Sequence, residues 1–154
     1  MKKKFVKNIK NIYLPLLMKE SREESVMTTH KKKKIRLEFE IKSSPAMLFN
    51  CISTPSGLAG WFADDVDIYN NLYKFKWNND EQIAELLKKT PNKCIKFKWA
   101  DSKIDEFFEF EIIQDELTDD VALVVTDFVD AADEKNAIQL WESQIHELKT
   151  SLGA

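Results

Sequence analysis

PAMLFNCISTPSGLAGWFADDV, residues Pro45–Val66, is the stretch that decides how the chain folds. Ser43 or Ser44 can cap a helix whose first position is Pro45, where the missing N–H costs nothing. Met47, Leu48, Cys51 and Ile52 then form an apolar helical stripe. Thr54-Pro55-Ser56-Gly57 breaks it, and Leu58–Phe62 fits a second short helix that turns Leu58, Trp61 and Phe62 toward a core. Two short helices this rich in large apolar groups need a surface to lie on.

The flanking sequence supplies that surface. Upstream, Ile35, Leu37, Phe39 and Ile41 alternate with Arg36, Glu38, Glu40 and Lys42, the period-two pattern of a strand with one wet face. Downstream, turn signals recur at Asn70-Asn71, Asn78-Asn79-Asp80, Pro91-Asn92, Ala100–Lys103 and Asp115–Asp120, the spacing of consecutive hairpins. Between them Tyr73, Phe75 and Trp77 share one face, as do Ile95, Phe97 and Trp99, and then Phe108, Phe110 and Ile112. Val121–Val129 is β-branched enough to be a more fully buried strand. Glu81–Lys89, EQIAELLKK, favours a helix by residue type. It lies between two turns and is too short for a stable isolated helix, so it reads as the strand that partners Lys93–Trp99.

The last element is a helix of about five turns, capped by Asp130 or Asp133 and ended by Gly153. Ile138, Trp141, Ile145, Leu148 and Leu152 form its apolar stripe. The fold class is therefore α+β: a curved antiparallel sheet of about seven strands, in β-α-α-β6-α order, wrapped around a long C-terminal helix.

Charge divides the chain. Residues 1–34 carry 11 Lys/Arg and 3 Asp/Glu, a net of +8, whereas residues 35–154 carry 12 and 23, a net of −11. A domain that acidic repels phosphate backbones, which argues against nucleic acid as a partner. No apolar run approaches the ~18 residues of an integral membrane span. Cys51 and Cys94 lack metal-ligand spacing and sit in apolar stretches, so they read as buried thiols, which fits a reducing cytoplasm. Residues 1–30 read as a flexible or mis-started extension ahead of a domain at 31–154, because Met27 opens MTTHKKKKIRLEFEI just before the first strand. Phe5, Ile9, Ile12 and Leu16 also share a helical face among lysines, the pattern of a membrane-surface helix. The seven-residue apolar patch Ile12–Met18 falls short of a signal peptide, having Pro15 inside it and no small-residue cleavage site after it.

Three segments resemble one family. The element order is that of the helix-grip, START-like (SRPBCC) superfamily, and over about residues 34–152 the chain is similar to homologues of the activator of the ninety-kilodalton heat-shock-protein ATPase. Ser53–Val66 is similar to that family's Thr-x-Pro-x-x-Leu-x-x-Trp-Phe segment. Leu86–Trp99 is similar to its strand-turn-strand with a Pro before a strand ending in Trp, and the terminal helix with Trp141 matches in place and polarity. The family's Gly-rich entry to the middle strands and its Gly-Trp near the last helix are replaced here by Asn78-Asn79-Asp80 and Lys135–Gln139. The eukaryotic activator's separate co-chaperone domain has no counterpart.

The resemblance implies a non-catalytic module that holds a small hydrophobic ligand between sheet and C-terminal helix. The candidate lining is Trp61, Phe62, Tyr73, Phe75, Trp77, Phe97, Trp99, Phe108, Phe110, Trp141 and Ile145. So many bulky rings in one small domain favour a filled or very narrow space. The alternatives are a protein-interaction module with a protein partner, related to the chaperone activators, and a cyclase- or hydrolase-like enzyme. For the last, only His146, Asp64 and Tyr73 offer themselves, and no catalytic set, cofactor or metal site is implied. His30 lies in the basic lead-in. Asp127, Asp130 and Asp133 lack the glycine and glutamate of a calcium loop and read as a strand end and a helix cap. Asp115, Glu116, Asp119 and Asp120 read as a solvated hairpin tip, and Asp64-Asp65 as residues near the mouth of the space. Oligomeric state is left open.

Overall fold

In a computed structural model of the chain, residues 32–154 are described. The expectations for residues 1–30, including the surface helix and His30, lie outside them. The order is β1 (Lys32–Ile41), α1 (Pro45–Ser53), α2 (Pro55–Ala59), β2 (Asp65–Tyr69), β3 (Leu72–Trp77), β4 (Asp80–Thr90), β5 (Cys94–Trp99), β6 (Phe108–Gln114), β7 (Val121–Asp130) and α3 (Glu134–Leu152). A single 3-10 turn, Ala131–Asp133, joins β7 to α3.

All seven strands form one antiparallel sheet ordered β1-β7-β6-β5-β4-β3-β2. The expected β-α-α-β6-α order is the observed one. EQIAELLKK is strand, because β4 is hydrogen-bonded between β3 and β5 and this pairing outweighs helix propensity. Its register with β5 slips between Leu86 and Lys88, which leaves Leu87 as an exposed bulge. Turn chemistry fits the sequence: Asn70, Asn78, Asn92 and Asp119 adopt positive φ, the left-handed geometry that these side chains tolerate best after glycine.

The two short helices and the 3-10 turn have side-chain caps, whereas Asp133, at the start of α3, makes no side-chain cap bond. Ser44 Oγ accepts the Met47 amide at 3.2 Å, Thr54 Oγ1 accepts the Gly57 amide at 2.9 Å, and Asp130 caps the 3-10 turn. Gly153 closes α3 at φ 72°. Three apolar assignments shift. Met47 is exposed, and Phe49 is buried on α1 instead. The second short helix occupies Pro55–Ala59, so Trp61 and Phe62 enter the core from the turn that follows it. On α3 the buried face is Ala137, Trp141, Gln144, Ile145 and Leu148, while Ile138 and Leu152 pack only at its margin. The buried face includes Gln144, whose Nε2 finds a buried acceptor.

Candidate functional site

The inner face of the sheet carries the candidate residues together. Alternation in β3, β5 and β6 puts Tyr73, Phe75, Trp77, Phe97, Trp99, Phe108 and Phe110 on one side. Trp61 and Phe62 reach them from the turn after α2, and Trp141 and Ile145 from α3. All eleven are buried. Phe62 lies at the hub, with ring centroids of Phe75, Trp77, Phe108, Phe110 and Trp141 5.0–6.3 Å away. Farther along, Tyr73 meets Phe97 edge-on at 4.8 Å and Trp99 stacks on Phe108 at 4.8 Å. These are the offset and edge-to-face separations that ring quadrupoles favour.

The layer is closed as it stands. Trp61, Phe62, Phe75, Trp77, Phe97, Phe108, Phe110 and Trp141 each have 0% of their surface accessible, so no water-sized void touches them. Rings interlock and fill the space, the outcome that so much aromatic volume favours.

The polar groups within the layer are committed to holding it. Trp61 Nε1 donates to the Cys51 carbonyl at 2.9 Å, Trp77 Nε1 to the Phe62 carbonyl at 2.8 Å, and Tyr73 Oη to the Ser53 carbonyl at 3.1 Å. Trp141 Nε1 donates to Asp127 Oδ2 at 3.0 Å. Gln144 Nε2 donates at 3.3 Å to the same Phe62 carbonyl that Trp77 uses, so one oxygen ties α3 and β3 to the α2 turn. Burial pushes the Tyr73 phenol and the Cys51 thiol above their ordinary pKa values by disfavouring the charged forms.

Two of these polar anchors escaped the sequence reading. Gln144 is polar and falls outside an apolar stripe. Asp127 read as a strand end, although β7 alternation places it on the inner face with Val125 and Val129.

The residues weighed for catalysis do not meet. His146 is exposed on the solvent side of α3. Asp64 is exposed, and its Oδ2 accepts the Asn78 amide at 2.8 Å, which fixes the β3–β4 turn. Asp65 accepts the Val66 amide. Asp115 Oδ1 accepts the Leu117 and Thr118 amides at 2.7 and 3.0 Å, and these bonds hold its carboxyl below the usual range. Among the described residues no three His, Cys, Asp or Glu side chains are grouped to hold a metal, and no helix is long and apolar enough to cross a membrane. Cys51 and Cys94 are free and buried. A separate surface groove of about 680 Å³ runs beside Pro45, Asn92, Lys93 and Ile113 and does not reach the aromatic layer.

A family profile described as a START-like superfamily domain matches residues 29–154. Solved structures agree. BfR322 from Bacteroides fragilis is 33% identical, with a TM-score of 0.59 over 79% of this chain and 92% of that one. The Aha1 dimer from Colwellia psychrerythraea is 19% identical, with a TM-score of 0.65 over 78% and 96%. A Mesorhizobium loti protein is 15% identical, with a TM-score of 0.65 over 79% and 97%. The last two likenesses concern the fold alone. No functionally curated protein matches the sequence.

Proposed function

The chain belongs to the START-like superfamily, and on that premise we propose that it is a non-catalytic domain that binds a small hydrophobic ligand between its sheet and α3. One observation carries the reading: a continuous layer of ten aromatic side chains, nine from the sheet and the turn after α2 and Trp141 from α3, whose indole and phenol donors mostly point to protein acceptors. A ligand entering such a layer meets ring faces and edges and almost no unpaired polar group, which selects an apolar molecule. Because the layer is closed in the free protein, entry requires α3 to move and rings to part. The links at stake are Trp141 to Asp127 and Gln144 to the Phe62 carbonyl. Affinity is then reduced by the cost of opening.

The test is thermal unfolding of the full chain with a panel of fatty acids, isoprenoids and polycyclic aromatics. A ligand at a hundredfold excess over its Kd adds about 2.7 kcal/mol, which for a domain of this size is a rise of several degrees in Tm. A panel that never moves Tm contradicts the proposal.

A second reading, a protein-interaction module related to the chaperone activators, rests on a different observation. Tyr69, Leu72 and Ile83 are exposed on the outer face of neighbouring strands, with Tyr69 directly opposite Leu72. It requires Y69S/L72S to abolish stimulation of a chaperone ATPase by the full chain. No stimulation by the unmodified chain removes this reading.

A further inference from the structure

The two ends of the sheet are guarded unequally. At one end β2 is five residues long, with Asp65 and Asp67 exposed along it. At the other end β1 is ten residues long, and among the described residues it pairs only with β7. Edge strands present unmet backbone N–H and C=O groups, and proteins usually blunt them with brevity, charged side chains (lysine above all), proline or a bulge. β1 relies on charge alone: it is neither short nor interrupted by proline, and its register with β7 runs unbroken from Lys32↔Asp130 to Ile41↔Val121. Leu37 and Phe39, in the middle of its inner face, are only partly buried, whereas Ile35 and Ile41 on either side are buried.

Its outer face is patterned. Lys34 and Arg36 are followed by Glu38 and Glu40, all four exposed. Their neighbours across the ladder on β7 are Phe128, Thr126, Val124 and Ala122, none of them charged. Lys34 leans over the Phe107 ring at 5.7 Å. The strand is therefore basic in its first half and acidic in its second, which is the pattern an antiparallel copy of itself complements.

We propose that β1 is a docking edge for β1 of a second copy of this chain, paired antiparallel about Leu37 so that the two sheets become one. Arg36 then faces Glu38 of the second copy, Lys34 faces its Glu40, and the two-fold axis repeats both pairs. The register is set by two requirements. Inner faces must match, so facing residues are separated by an even number of positions. Charges must also oppose, and a two-residue slip in one direction sets Glu38 against itself, while in the other it sets Arg36 against itself. Only the pairing centred on Leu37 opposes all four. It also brings Leu37 against Leu37 and Ile35 against Phe39, covering the partly exposed apolar groups. Such an interface is isologous and closed, so association stops at two.

The experiment is sedimentation equilibrium of the full 154-residue chain at low salt, with circular dichroism melts to show that each variant is folded. The unmodified chain is expected to form a dimer. E38K/E40K and K34E/R36E each set like charges opposite one another at all four positions, and each should raise the dissociation constant at least about tenfold. Mixing the two variants in equal amounts restores four opposite-charge pairs and should restore dimers. The quadruple exchange K34E/R36E/E38K/E40K, which keeps both net charge and self-complementarity, should dimerise as the unmodified chain does. A chain monomeric up to millimolar concentration overturns the proposal. So does a dimer indifferent to E38K/E40K, or a mixture of the two double variants that stays monomeric.

Discussion

The two halves of the sheet solve the same packing problem with different side chains. Under β1 and β7 the inner face is mostly aliphatic, with Ile35, Ile41, Val121, Leu123, Val125 and Val129 buried, Phe39 partly buried and Asp127 the buried polar exception. Under β3, β5 and β6 it is almost wholly aromatic. The backbone of α3 approaches the sheet at β1 and β7, where the buried residues are small and branched. Over the middle strands, which α1 also approaches, the interior is filled by larger groups. Trp141 marks the boundary: its indole N–H anchors to Asp127 on β7, while its ring packs on Phe62 and Phe110. The comparison locates the place where side-chain volume could be exchanged for ligand volume, and it lies on the aromatic side.

Truncating one residue in each half tests that difference. Phe62→Ala removes the hub ring and should cost about 4 kcal/mol in urea unfolding, with benzene at saturation restoring part of the loss. A cost below about 2 kcal/mol, or no effect of benzene, would mean that the layer can collapse and that the halves are alike. Val125→Ala in the aliphatic half should cost about 2 kcal/mol, with no benzene effect, because the void it leaves is too small.

Smaller changes sharpen the picture of the aromatic side. Tyr73→Phe keeps the ring and leaves the buried Ser53 carbonyl without its phenol donor, a loss of about 1 kcal/mol. Burial raises the Tyr73 pKa, so its contribution is complete below the unfolded value near 10 and is lost as pH rises through the folded value. The free energy of unfolding, followed from pH 9 to 11, should therefore fall less steeply in Tyr73→Phe than in the parent. The smallest effect belongs to the exposed hairpin tip. Asp115 has a lowered pKa, so its stabilisation is present above the unfolded carboxyl value and fades as pH falls through the folded one. Asp115→Asn should lower Tm slightly at pH 7 and converge with the parent in acid.

Much of this was legible in the sequence. Period-two alternation assigns a side chain to a face, so the seven strand rings, Tyr73, Phe75, Trp77, Phe97, Trp99, Phe108 and Phe110, could be grouped from spacing. Trp61, Phe62 and Trp141 came from the helical segments, and the lining role from the family resemblance. Alternation carries no information on the distance between layers, so it could not show whether those rings enclose a void or fill it. Polar residues with buried partners escaped for a related reason. Gln144 and Asp127 are buried because of what they bond to, the Phe62 carbonyl and the Trp141 indole, which lie 82 and 14 residues away in the chain. The β4 assignment went against local propensity and held because a strand on each side demanded hydrogen bonds.

All four tryptophans of the chain, Trp61, Trp77, Trp99 and Trp141, stand in the aromatic layer, so the indole N–H region of a nitrogen–proton correlation spectrum reports that layer and nothing else. Titrating the full chain with an apolar compound that raises Tm should move several of these four signals while the methyls of Leu123 and Val125 shift less. Four indole signals that stay in place while such a compound binds would put the ligand elsewhere and contradict the account.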